Sequence, residues 1–273
     1  GNRMRKRVQY VIVLLIICCA YAAVLIFTQE RQSSGNAPTI SAPQEVLEVS
    51  VKDDDEKLLE GLSAADEEDG DLSDSIFIES MSEFDNDNCR TVTYAVFDSD
   101  DNLSRATRRI RYSDYSAPRI TLNQALCISY NNYNVQLQDY VGATSSVDGD
   151  ISAKVSVNSE AQDGNSYYAT FSVTDSCGTT SSLRLKIDQL WDEPSLTITL
   201  SDYLIYVDKG TEIDAEDYIE SVSDRGIEDE DLIGDISIQD NYNTDEEGTY
   251  EFIYRIERTS GEYGITKLVV VVQ

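Results

Sequence analysis

Thr170-Phe171-Ser172-Val173-Thr174-Asp175-Ser176-Cys177-Gly178 decides the fold of this chain, because its pattern recurs on either side. The earlier copy is Thr93-Tyr94-Ala95-Val96-Phe97-Asp98, followed by Ser99-Asp100-Asp101-Asn102. The later one is Ile253-Tyr254-Arg255-Ile256-Glu257-Arg258, followed after one residue by Ser260-Gly261. Each copy sets an aromatic and a β-branched residue two positions apart, so both fall on one face of a strand. Further on, Ile110, Ile187 and Val270 stand in a second alternating segment. Two alternating runs joined by Gly, Asn, Asp and Ser read as a hairpin.

Working outward, each hairpin is preceded by a turn signal ending in an aliphatic residue. The signals are Asp69-Gly70-Asp71-Leu72, Asp148-Gly149-Asp150-Ile151 and Ile233-Gly234-Asp235-Ile236. Gly supplies a positive φ, and a flanking Asp can accept hydrogen bonds from the turn's own amides. Each copy opens on a proline and an alternating apolar run, at Pro43-Gln44-Glu45-Val46, Pro118-Arg119-Ile120 and Pro194-Ser195-Leu196. Proline suits the first residue of an edge strand. Helical periodicity is nearly absent, with local helical turns expected only around Lys57–Leu62 and Ala215–Glu220.

These motifs resemble the bacterial immunoglobulin-like repeats of surface proteins and of some pesticidal crystal toxins. The pattern there is Asp-Gly-Asp-[Ile/Leu], then Gly-x-Tyr, then Tyr-x-Val-x-Asp-x-x-Gly-Asn. The second copy matches at Asp148, Gly149, Asp150, Ile151, Asp175 and Gly178, with Phe171 in the aromatic place. The third keeps Gly248-Thr249-Tyr250 and Tyr254 but has Arg258 for the late Asp, and the first lacks the Gly before its aromatic strand. The resemblance implies an all-β chain of three tandem immunoglobulin-like β-sandwich modules, at residues 43–115, 116–192 and 193–273. It carries no catalytic residues, because the repeated positions are turn and core positions.

Val8 to Thr28 is uncharged and, Gln9 and Thr28 apart, almost wholly apolar, with Arg3, Arg5, Lys6 and Arg7 before it and no carboxylate until Glu30. A run of this length covers a bilayer's hydrocarbon core, and basic residues hold their end in the cytoplasm. The expectation is a single N-terminal transmembrane helix at 8–28, a cytoplasmic basic stub at 1–7 and a flexible linker at 29–42, with the C-terminal region extracellular. A cleaved signal peptide is the rival, since Ala20-Tyr21-Ala22 has a small-x-small form. The apolar run continues past it through Phe27, longer than a signal segment needs.

Against 21 basic residues stand 51 acidic ones, for a formal net charge of −30. Such a surface repels nucleic acid and favours cations or basic partners. Histidine is absent, which removes the commonest general base and metal ligand. Calcium is the metal to consider: carboxylates at loop ends, namely Asp69, Asp71, Asp98, Asp100, Asn102, Asp148 and Asp150, offer the oxygen ligands it requires. Asp98 to Asn102 has the spacing that opens an EF-hand loop, but Leu103 replaces its Gly and Arg109 its bidentate Glu. Cys127 and Cys177 are the expected disulfide, leaving Cys89 odd.

Tyr130, Tyr133, Tyr140, Tyr167 and Tyr168 are expected in strand and core packing rather than on a sugar-stacking surface. Trp191, at a module junction, is expected to pack that interface or cap the second core. The functional expectation is a membrane-anchored bacterial surface stalk or adhesive module without catalysis, its ligand an extracellular protein or glycan. Alternatives are a tethered subunit of an envelope or cell-wall assembly and, further off, an envelope glycan hydrolase.

Overall fold

The computed structural model describes residues 36–130, 135–160 and 166–273. The expected membrane span Val8–Thr28, the basic stub and the first half of the linker lie outside the described residues. Among the described residues no helix is long and apolar enough to cross a membrane. The chain is all-β and divides after Ser113 into two compact units.

In the first unit the order is β1 (Thr39–Ser41), β2 (Leu47–Val49), helix α1 (Asp55–Leu59), β3 (Ser63–Asp66), β4 (Gly70–Asp71), β5 (Phe77–Met81), β6 (Arg90–Phe97) and β7 (Leu103–Tyr112). They form a sandwich of two sheets, ordered β1-β3-β4 and β2-β7-β6-β5. All pairs are antiparallel except β2 with β7, where Leu47 lies beside Ile110. Val92, Tyr94 and Val96 of β6 and Ile110 of β7 are fully enclosed. The Tyr94 hydroxyl satisfies its buried position by donating to the Leu58 carbonyl of α1 at 2.8 Å.

The same plan occurs twice in the second unit. Strands β8 (Arg119–Leu122), β9 (Cys127–Ser129), β10 (Val141–Ser145), β11 (Gly149–Asp150), β12 (Ser156–Ser159), β13 (Ser166–Thr174) and β14 (Thr180–Leu190) give sheets β8-β10-β11 and β9-β14-β13-β12. Strands β15 (Leu196–Leu200), β16 (Leu204–Val207), β17 (Ile219–Asp224), β18 (Ile227–Glu228), β19 (Ser237–Asp240), β20 (Gly248–Glu257) and β21 (Tyr263–Val272) give β15-β17-β18 and β16-β21-β20-β19. In each copy the second strand runs parallel to the last. Tyr254 takes the place of Tyr94, its hydroxyl donating to the Ala215 carbonyl at 2.7 Å in the short 3-10 turn Ala215–Tyr218. The helical turns expected near Lys57 and Ala215 are therefore the seats of the two buried tyrosines.

Three expectations need correction. Strand β1 begins inside the expected linker, and its place beside β3 matches that of β8 beside β10 and β15 beside β17. Pro38, not Pro43, is thus the counterpart of Pro118 and Pro194; the run after Pro43 is the parallel second strand. Two short apolar alternations lie close together, and only pairing separates them.

The third turn signal was misplaced as well. Arg225 and Gly226, at φ 50 and 84, make the tight turn between β17 and β18. Ile233, Gly234 and Asp235 fall in a 3-10 segment, Glu230–Asp235. Finally, Cys127 and Cys177 are not bonded. Cys127 pairs with Asp188 near the end of β14, whereas Cys177 lies just before the start of that strand. Eight strand residues separate those places, about 26 Å at the usual rise, far beyond the Cα spacing of a disulfide.

The two sandwiches of the second unit share a contact. On β21, Leu268, Val270 and Val272 face the third core, while Leu204 and Val269 complete the second, with Tyr206 and Val271 packed against it. Strands β8 and β9 are the edges of the second sandwich's two sheets, so the β16–β21 face closes its open side. The unbroken run Leu268-Val269-Val270-Val271-Val272 is what burial on both faces demands.

Candidate functional site

The acidic turns gather the chemistry-bearing residues, and most of their carboxylates are bound to backbone. Asp98 ends β6, and its Oδ1 accepts the amides of Asp100 and Asn102 at 2.9 and 2.8 Å. Its Oδ2 accepts the Asn102 side-chain amide at 2.8 Å. Asp175 repeats this on the amides of Cys177 and Thr179, at 2.9 and 3.0 Å, and takes the Tyr115 hydroxyl on Oδ2 at 2.7 Å. The bonds hold a turn whose fourth residue is left-handed, Asp101 at φ 63 and Gly178 at φ 81. Desolvation pushes the Asp98 carboxyl upward, but the amides of Asn102 and Asp100 outweigh it and hold the group below the usual carboxylate range.

The Asp-Gly-Asp turns lock the same ends from the other sheet. Asp69 Oδ2 accepts the Ser99 amide and Asp148 Oδ2 the Ser176 amide, both at 2.7 Å. One residue beyond the glycine, Asp71 accepts the amide and hydroxyl of Ser73 at 3.0 and 2.6 Å, and Asp150 does the same with Ser152. The Ser73 and Ser152 bonds lower the carboxyls of Asp71 and Asp150. Asp69, Asp71, Asp98, Asp148 and Asp150 are therefore turn-forming groups aimed at amides, while Asp100 and Asn102 contribute their own amides to Asp98. Among the described residues no three acidic, His or Cys side chains converge as a cation's ligand set.

The third sandwich reverses the charge. Arg258 stands where Asp98 and Asp175 stand, and its guanidinium reaches Asp224 at 2.6 Å, Glu262 at 3.3 Å and Asp229 at 3.7 Å. The hydrogen bonds it donates to Asp224 and Glu262 raise its pKa further.

A second cluster lies between the second and third sandwiches and escaped sequence reading. Lys267 of β21 is 1% exposed, and its Nζ donates to Asp188 and Glu251 at 2.9 and 2.7 Å and to the Lys186 carbonyl at 2.7 Å. Burial pushes Asp188 upward, but Lys267 and Lys186 outweigh it and the carboxyl is held low. Nearby, burial pushes the Cys127 thiol up to about 12, so it is a poor nucleophile. The signal available was a lysine inside an otherwise apolar strand.

Of the surface grooves of ligand size in this unit, one of about 440 Å³ includes Glu220, Glu228, Asp229 and Glu230, and two others carry aromatic side chains. One, of about 430 Å³, includes Ser116, Arg119, Ser182, Tyr206 and Val271; Arg119 lies over the Tyr206 ring at 5.0 Å. The other, of about 310 Å³, includes Tyr168, Arg184, Lys186 and Glu251. Its charges are matched: Arg184 grips Glu160 through two bonds of 2.6 and 2.7 Å, and Lys186 meets Asp188 at 2.7 Å.

The aromatic residues divide. Tyr140 and Tyr167 pack on the second core as expected, and Tyr168 lies under the Arg184 guanidinium, 3.6 Å from its ring centre. Tyr133 lies outside the described residues. Trp191 neither caps that core nor fills the junction, for it is 68% exposed, with the 51% exposed Tyr130 ring 6.0 Å away.

No family model and no curated protein matches the sequence. Among solved structures, the M60 catalytic domain with the CBM51-1 and CBM51-2 domains of Clostridium perfringens ZmpB is similar at 11% identity and a TM-score of 0.23; the match covers 86% of this chain and 30% of that one. The protocadherin GammaB4 extracellular domain matches at 12% identity and 0.22, over 87% of this chain and 49% of that one. Drosophila N-cadherin EC1-4 matches at 14% identity and 0.22, over 78% and 69%. This chain thus spans less than half the length of the first two. At such scores none of these likenesses fixes a ligand, a partner or an activity here.

Proposed function

We propose that this chain is a non-catalytic surface interaction protein, held by Val8–Thr28 with its N-terminus in the cytoplasm and its immunoglobulin-like sandwiches outside as stalk or adhesive modules. One observation carries the proposal: Asp69, Asp71, Asp98, Asp148 and Asp150, which sequence alone offers as chemistry, are spent on turn amides in the first two sandwiches. Repeated turns of this kind build frames, and frames display binding loops at their ends. The absence of histidine agrees with binding rather than turnover.

Cells expressing the full chain provide the test. Externally added protease is expected to remove the sandwiches while a tag ahead of Arg3 stays protected, and cross-linking is expected to capture an extracellular protein or glycan. Capture of a single envelope protein instead would make the chain a tethered subunit. Release of soluble sugar from cell-wall glycan by the purified chain would make it a hydrolase.

A further inference from the structure

Trp191 and Tyr130 form an exposed ring pair, centres 6.0 Å apart and planes tilted by 36°. They are held by backbone, not carried on a free loop tip. Ser129 and Leu190 are the last paired residues of the parallel strands β9 and β14, and the Tyr130 amide donates to the Leu190 carbonyl at 2.7 Å. On the far side, the Tyr263 hydroxyl donates to the Asp192 carbonyl at 2.8 Å. Both chain positions beside the rings are therefore fixed.

We propose that this pair is a binding platform for a neutral oligosaccharide. This rests on the interaction reading above and narrows it to a ligand class. Aromatic rings carry much contact area at small entropic cost, and leaving two of them in water on a fixed frame forgoes that stabilisation. Neither the Trp191 indole N–H nor the Tyr130 hydroxyl has a hydrogen-bond partner among the described residues. A pyranose ring supplies the complement to both features, with an apolar face of C–H bonds for the rings and a rim of hydroxyls for the free polar groups.

Charge and size exclude the other occupants. Asp192 and Glu193 adjoin Trp191 in a chain of formal net charge −30, which repels nucleic acid, anionic lipid and uronic-acid polymers. A stable protein interface covers about 800 Å² a side, whereas two rings expose no more than about 250 Å² each even when fully bare.

Trp191 is the sole tryptophan, so the intrinsic emission of the full chain in neutral detergent reports this place alone. Cellotetraose and chitotetraose are the neutral probes and tetragalacturonate the anionic control. A saturable shift in emission is expected with at least one neutral probe and none with the control. Tyr130→Ala is expected to weaken binding at least fivefold. Trp191→Ala, read by calorimetry, is expected to abolish it with an unchanged melting temperature. Flat emission with both neutral probes, an equal response to the anionic one, or full binding by Trp191→Ala would overturn the proposal. If the titrations are flat while cells still capture a ligand through the chain, the platform falls and the interaction reading stands.

Discussion

The first and third sandwiches follow one strand plan and differ on the outer face of the last strand. In β7 that face carries Arg105, Arg109 and Arg111, paired with Glu79, with Asp85 and Asp87, and with Glu48. In β21 it carries Lys267, Val269 and Val271, turned on the second sandwich. A charged outer face leaves a sheet solvated, whereas an apolar one with a buried cation needs a neighbour. The closing hairpin differs in parallel: Asp98 binds amides of its own turn, while Arg258 bridges the side chains of Glu262 in its own turn and Asp224 at the end of β17.

The widest test of this contrast is Lys267→Ala, which leaves Asp188 and Glu251 without their shared cation. The cost is expected to be about 3 kcal/mol or more, with both sandwiches of the second unit losing hydrogen-exchange protection and the first unit unaffected. If only the third lost protection, the contact would not be a shared one.

A smaller loss is expected at the hairpins. Asp175→Ala strips acceptors from the amides of Cys177 and Thr179 and from the Tyr115 hydroxyl, about 2 kcal/mol in denaturant unfolding. Arg258→Ala should cost less, since its partners remain about a third exposed and screened. Arg258→Asp restores the residue that the repeat pattern prescribes, yet it should lower the melting temperature below that of Arg258→Ala. It would set a third carboxylate beside Asp224 and Glu262.

The smallest effect is with acid. Asp71, Asp85 and Asp98 of the first sandwich are all lowered from a usual value of 3.8: Asp71 by Ser73, Asp85 by the Cys89 amide against desolvation, and Asp98 against desolvation by the Asn102 and Asp100 hydrogen bonds, which together outweigh it. A lowered folded-state value means that their stabilisation is complete above 3.8 and is lost as pH falls through the folded value. Thermal melts of the first unit are expected to be level from neutral pH to about 5 and to decline below 4. Asp98→Asn should flatten that decline. Dilute samples are needed, because the chain's isoelectric point is about 4.1.

The hairpins, the Asp-Gly-Asp turns of the first two copies and the buried aromatic positions were legible in sequence, because each depends on neighbours within a few residues. Tyr94, Phe171 and Tyr254 follow from period-2 alternation and are all fully enclosed. The roles of Pro38, of Arg225-Gly226 and of Cys127 were not, since they are set by which strand pairs with which. The amide partners of Asp69, Asp98 and Asp148 were hidden for a related reason. An acid at a turn serves an ion or an amide equally well in sequence, and only the facing backbone decides.

The β16–β21 face that seals the second sandwich also sets an order of events during synthesis. A ribosome making roughly 5 to 20 residues per second completes β14 several seconds before β21 emerges. For that interval the second sandwich has its own strands but not its cover, with Leu126, Ile128 and their neighbours open along one side. Chaperone demand on the nascent chain should therefore peak after Leu190 is made and fall only when the valines of β21 arrive.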